Sequence, residues 1–102
     1  MIGFDFDGVV TTGRYKPDFT DVIITGNTIP MFAHVIKEMK RLGVACPVYF
    51  MPYDSANNIQ VAAKWKSEMI ERLNCSRFYE DDPNQAFIIK KNCPNCEVVV
   101  VR

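Results

Sequence analysis

Apolar and polar positions change period several times along the chain, and each change predicts an element. "IGFDF" is a short apolar run rich in strand formers, and "DVIIT" is a second, followed by Gly26-Asn27. In "TIPMFAHVIKEMKRLGV", Phe32, Val35, Ile36 and Met39 recur at helical spacing. Thr28 suits the N-cap of that helix, Pro30 its first turn and Gly43 its C-terminal stop. "CPVYFM" reads as a third strand, and Pro52, Asp54, Ser55 and two asparagines make a loop up to Asn58. A second helix is predicted over roughly Ile59 to Leu73, with Ala62, Trp65, Met69, Ile70 and Leu73 as its buried stripe. "SRFYE" is a fourth strand. "DPNQAFIIKKN" is a short helix with Asp82 as N-cap and Pro83 at its first position, and "EVVVV" is a fifth strand.

Strands alternating with helices predict an α/β fold: a single three-layer, Rossmann-like domain over residues 1–102 with a five-stranded parallel sheet. Continuous runs such as "VVVV" fit strands covered on both faces. The first two strands are joined by "VVTTGRYKPDFT", residues 9–20, which has no helical period and is expected to form a loop or small hairpin flap.

Composition narrows the function classes. Lysine plus arginine equals aspartate plus glutamate at 12 each, so no overall basic field attracts nucleic acid, although a local patch remains open. No apolar run approaches the roughly 20 residues that span a bilayer, and no basic segment leads an apolar one at the start. A soluble, cytoplasmic protein is expected. Cys46 and Cys75 sit in or beside predicted strands, where buried thiols are common. "CPNC", at Cys93 and Cys96, is half of a zinc knuckle without a second half, so two thiols in a turn is the favoured reading. Phe32, Met39, Trp65 and Met69 read as core, and His34 as a surface residue without chemistry.

In an open parallel sheet, ligands bind beyond the carboxyl ends of the strands. Asp5 and Asp7 end the first strand, two residues apart and expected on one face of it. Thr25, Gly26 and Asn27 end the second, Glu80, Asp81 and Asp82 the fourth, and Lys64 and Lys66 lie early in the second helix. Two like charges ~4 Å apart cost about 4 kcal/mol at an effective dielectric near 20. Asp5, Asp7 and Asp81 together therefore call for a cation. A hard divalent ion with oxygen ligands suits them, and Mg²⁺ best where a phosphate completes the ligand set.

"FDFDGVV", "VIITGN", a helix-borne lysine and "YEDDP" resemble, in order, the four motifs of the haloacid dehalogenase superfamily, mostly phosphatases. The resemblance runs from Asp5 to Asp82, and the last helix and strand complete the sheet. It implies a Mg²⁺-dependent phosphohydrolase with an aspartyl-phosphate intermediate. Asp5 is then the nucleophile and Asp7 the general acid and later base. Thr25, Gly26 and Asn27 are the second-motif residues at the substrate, with Thr25 binding a phosphoryl oxygen. Lys66 steadies the charge; Lys64, two residues earlier, is the alternative but points elsewhere on a helix. Asp5, Asp7 and Asp81 are the implied metal ligands, with Glu80 beside them and Asp82 as an outer residue or cap. A one-residue shift exchanges those last roles.

Most members of that superfamily carry a cap inserted after the first or third strand, and both connections are brief here. The chain resembles a minimal, capless member. An open site suits a large substrate such as a nucleic-acid end or phosphoprotein, or a partner subunit or second copy that supplies the lid. Arg14 and Lys16 are candidates to meet a phosphate-rich strand, or simply solvated charges. The nearest resemblance is to the phosphatase module of polynucleotide kinase-phosphatases, although Asn27 and Asp82 stand where that group often has arginine. Phosphorelay receiver domains share the residue types, but their order differs. A domain that binds phosphate or metal with little turnover is the other reading, and Asp7 speaks against it, since a pure binder needs no acid at that position.

Overall fold

Five short strands form one all-parallel sheet in the computed structural model, which describes residues 1–54 and 58–101. They are β1 (Ile2–Phe4), β2 (Val22–Thr25), β3 (Val48–Phe50), β4 (Arg77–Glu80) and β5 (Glu97–Val100), in the order β3-β2-β1-β4-β5. Three α-helices accompany them: α1 (Phe32–Leu42), α2 (Ile59–Arg72) and α3 (Pro83–Asn92). Val35 and Met39 of α1 pack on one face with Phe4, Phe6 and Ile23. Trp65 and Ile70 of α2 and Ile89 of α3 pack on the other with Ile24, Phe78 and Val98. The three-layer, Rossmann-like architecture expected from the alternating pattern is present. Among the described residues, no helix is long and apolar enough to cross a membrane.

The strand order fixes where a site can form. The chain steps outward from β1 to β2 to β3, and α2 then carries it back past β1 to β4. Direction reverses between β1 and β4, and a crevice opens beyond their carboxyl ends. Phe4 pairs with Tyr79, and the Asp5 amide continues the ladder by donating to the Tyr79 carbonyl at 2.9 Å. Asp5 is thereby set level with Glu80.

Local chemistry explains most boundaries. Asn58 caps α2 through its side-chain oxygen, which accepts from Gln60 N and Val61 N, and Asp82 caps α3 in the same way from Asn84 N and Gln85 N. Gly43 ends α1 at φ 70°, with its N–H turned back to the Met39 and Lys40 carbonyls. Thr28 differs from expectation: it precedes a short 3-10 turn, Ile29–Met31, and its side chain caps nothing. The proline in that turn starts a helical path that α1 continues only from Phe32. Phe32 accordingly sits half exposed beyond the sheet, its ring 5.5 Å from that of Phe50.

Of the loop or small hairpin flap expected over residues 9–20, the loop is present, with one 3-10 turn at Val10–Thr12, and it packs on the sheet. A parallel connection must return the chain from the carboxyl end of β1 to the amino end of β2. Val9 and Val10 are buried in the α1-side core, and the Tyr15 ring lies 5.2 Å from that of Tyr79 on the sheet. The Lys16 ammonium reaches Gly43 at the far end of α1, 3.2 Å from where a Cβ there would stand. The segment is a crossing packed on the sheet, and it holds Lys16 away from the carboxyl edge. Of the expected loop from Pro52 to Asn58, residues 55–57 lie outside the described residues.

Candidate active site

β1 ends at Phe4, so Asp5 and Asp7 do not share a strand face as expected. The chain turns directly after Asp5: Phe6 goes fully into the α1-side core, and Gly8 takes φ 80°. Asp5 is buried, whereas Asp7 is exposed. The turn separates the two carboxylates and gives them different environments. Gly8 has a second constraint, because a Cβ on it would overlap the Asp81 side chain, 2.5 Å from Cγ. Its bare backbone lets the carboxylate from β4 come up against the β1 turn.

Lys66 is the centre of the buried part. It is 2% exposed, and its ammonium donates to Asp5 Oδ1 at 3.2 Å and to Glu80 Oε1 at 2.9 Å. The Lys64 alternative falls away, since Lys64 is exposed and faces a separate groove beside Glu68 and Glu71. Glu80 is fully buried, and its other oxygen accepts from the backbone N–H groups of Asp81 at 3.1 Å and Asp82 at 3.5 Å. Burial opposes the charge on Lys66, but Asp5 and Glu80 outweigh it and lift the ammonium above the ordinary lysine range. It stays a cation.

The carboxylates divide the remaining charge unequally. Burial pushes the Asp5 carboxyl well above its ordinary value, against Lys66 and with Glu80 and Asp81 adding to the rise. Burial also opposes ionisation of Glu80, but hydrogen bonding from Asp5, then Lys66 and Asp81, brings it below its usual value. Asp81 is raised, first by partial desolvation and then by Glu80, while a hydrogen bond with Asp5 pulls the other way. Without a counter-cation, Asp5 is the group that keeps a proton. Glu80, held by an ammonium and two amides, is the ionised one.

Asp5, Glu80 and Asp81 each bring one carboxylate oxygen within 4.8 Å of the others. Both Glu80 oxygens already accept hydrogen bonds, so Asp5 and Asp81 have the oxygens to offer a hard cation. Of the expected ligands Asp5, Asp7 and Asp81, the cluster joins the first and third and takes Glu80 instead of Asp7. The Asp7 carboxylate accepts from Asn27 Nδ2 at 2.9 Å. The same amide donates to Thr25 Oγ1 at 2.9 Å, and that oxygen also accepts from Asn27 N at 3.1 Å. Thr25 is buried and does not line the cleft, whereas Gly26 and Asn27 do. Thr25 thus sits under Asn27 and positions it. His34 is exposed on α1, as expected.

The cleft above these groups has a volume of ≈ 400 Å³ and is lined by Asp5, Asp7, Asn27, Lys66 and Asp81 among others. A scan against protein-family models and a search of curated proteins each gave no match. Among solved structures, the chain is similar to a glycosyltransferase from Rickettsia africae ESF-5, with 17% sequence identity and a TM-score of 0.53. The match covers 95% of this chain and spans 28% of the length of that one. The likeness shows the fold alone.

Glu80 is the residue whose role was underread in the sequence. A signal for it existed: strand alternation puts it on the same face as Phe78, toward α2 and Lys66. The four cysteines are free thiols, and Cys75, Cys93 and Cys96 are buried in the α2/α3-side core. Cys96 N closes the "CPNC" turn on the Cys93 carbonyl at 3.0 Å, and burial pushes the Cys96 thiol up to about 11.

Proposed function

We propose that the chain is a Mg²⁺-dependent phosphomonoester hydrolase of the haloacid dehalogenase type, working through an aspartyl-phosphate. The observation that carries this reading is the buried Lys66 bridge between Asp5 and Glu80 beneath an open cleft. It holds one carboxylate in place and leaves that group facing the cleft. Asp5 and Asp81 would hold the cation, and their oxygens fit it: Mg²⁺ takes one or two carboxylates and leaves its other positions to water and phosphate. Bound there, Mg²⁺ supplies positive charge that offsets the carboxylates and polarises the phosphoryl oxygens.

The Asp5 carboxylate, once ionised, attacks phosphorus; a carboxylate O–P bond forms as the ester P–O bond breaks. Asp7 gives its proton to the departing alkoxide. As a carboxylate, Asp7 then takes a proton from water; the water oxygen attacks phosphorus, and inorganic phosphate and free Asp5 result. Asn27 orients Asp7, and Lys66 keeps Asp5 from turning away. The test is hydrolysis of para-nitrophenyl phosphate with Mg²⁺ and with chelator, in the wild type, Asp5→Asn and Asp7→Asn. Turnover should need Mg²⁺ and fall by at least about a thousandfold in Asp5→Asn. Turnover indifferent to chelator, or retained in Asp5→Asn, overturns the mechanism.

A further inference from the structure

We infer that the cleft takes phosphomonoesters with a neutral, hydroxyl-bearing leaving group of sugar or nucleoside size, and disfavours a polyanionic strand. This rests on the phosphohydrolase reading and concerns its substrate. The first observation is charge. Four aspartates (Asp5, Asp7, Asp81 and Asp82) line the cleft, and among its described residues Lys66 is the one cation, already engaged by Asp5 and Glu80. A divalent ion offsets only part of this, so a second phosphate on the same molecule meets a negative rim.

The second observation concerns donors. α2 and α3 both begin at the cleft, and free N–H groups at helix starts are where an extra phosphate would bind. Here Asn58 Oδ1 already accepts from Gln60 N at 2.9 Å and Val61 N at 3.2 Å. Asp82 Oδ1 accepts from Asn84 N at 2.9 Å and Gln85 N at 3.4 Å, and it adds a negative charge.

The third is what the outer cleft does offer. Asn27, Asn58 and Gln85 present amides, and Ile59 and Ala62 give an apolar wall. The amide oxygen of Gln85 is shut from solvent and has no donor among the described residues. A buried acceptor without a donor is unfavourable. Gln85 lines the cleft, so a substrate hydroxyl that displaces its side chain from this packing can donate to that oxygen. A volume of ≈ 400 Å³ fits a phosphorylated sugar or nucleoside.

The test measures kcat/KM with Mg²⁺ for para-nitrophenyl phosphate, a hexose phosphate, a nucleoside 5′-monophosphate and a short DNA strand carrying that nucleotide at its 5′ end. The best small hydroxylated substrate should exceed the strand by about tenfold or more at low salt, with the gap narrowing as salt rises. In Gln85→Lys the strand-to-mononucleotide ratio should rise several-fold. A strand turned over as well as the mononucleotide, or an unchanged ratio in Gln85→Lys, overturns the inference and leaves the hydrolytic reaction standing. Turnover of the aryl phosphate alone also overturns it. No turnover of any of the four overturns both the reaction and the inference.

Discussion

Asp5 is buried against two other carboxylates with a single ammonium to share, so it stabilises a site more than a fold. Asp5→Asn removes the need to keep a proton on a buried carboxyl at neutral pH, while Lys66 keeps Glu80. Without metal, the variant should be more stable than the wild type by about 1 kcal/mol, read by urea titration, while losing activity. Reduced stability in the metal-free state would count against the charge distribution given above. Gly8 is the second sensitive position. Gly8→Ala meets both a φ of 80° and the Asp81 side chain. A loss of about 2 kcal/mol or more and weakened Mg²⁺ binding by calorimetry are expected, and Gly8→Asn, tolerant of that φ but not of the overlap, should repair neither fully. Asp5, Lys66 and Asp81 were legible from order and spacing. Glu80 and Thr25 were not, because their places depend on strand phase and on which hydrogen bonds a hydroxyl accepts, and neither shows in a motif.

At the scale of elements, α2 and α3 were legible almost to the residue, since an amphipathic stripe and a polar cap coincide at each. Those caps are open to measurement. Asn58→Ala and Asp82→Ala should each lower stability by about 1 kcal/mol in chemical denaturation, and a change near zero for either would show that the cap bonds contribute little. α1 was less legible at its start, where Pro30 fixes a 3-10 turn and the Thr28 side chain caps nothing. The segment over 9–20 was legible only in part, for a geometric reason. A lack of helical period predicts a loop or small flap but not its course, and the parallel pairing of β1 with β2 obliges it to cross the sheet. Tyr15 and the buried Val9 and Val10 are what hold a crossing without an α-helix against the sheet. Lys16 goes with it to the opposite edge, which leaves the mouth without that charge.

Across the whole molecule, two cores flank the sheet, and the buried ions lie at the carboxyl ends of β1 and β4, at the sheet's reversal. Site protonation is therefore linked to global stability. Burial raises Asp5 in the folded chain, so its contribution is full below the unfolded value of about 4 and is lost as pH rises through the folded one. Glu80, lowered on balance, contributes in the opposite sense: its share is present above its unfolded value and lost as pH falls. The metal-free and metal-bound protein differ chiefly in the protons that a cation must displace from its two ligands, Asp5 and Asp81, both of which are raised. The rise in Tm on adding Mg²⁺ should thus grow with pH from about 4 upward, by at most about 1.4 kcal/mol per pH unit for each proton displaced, until the ligands are ionised without help. Thermal melts in chelator and in Mg²⁺ across that range measure it directly, with Asp5→Asn as the control that reduces the slope. A rise of equal size at every pH would mean that the cation does not compete with the Asp5 proton.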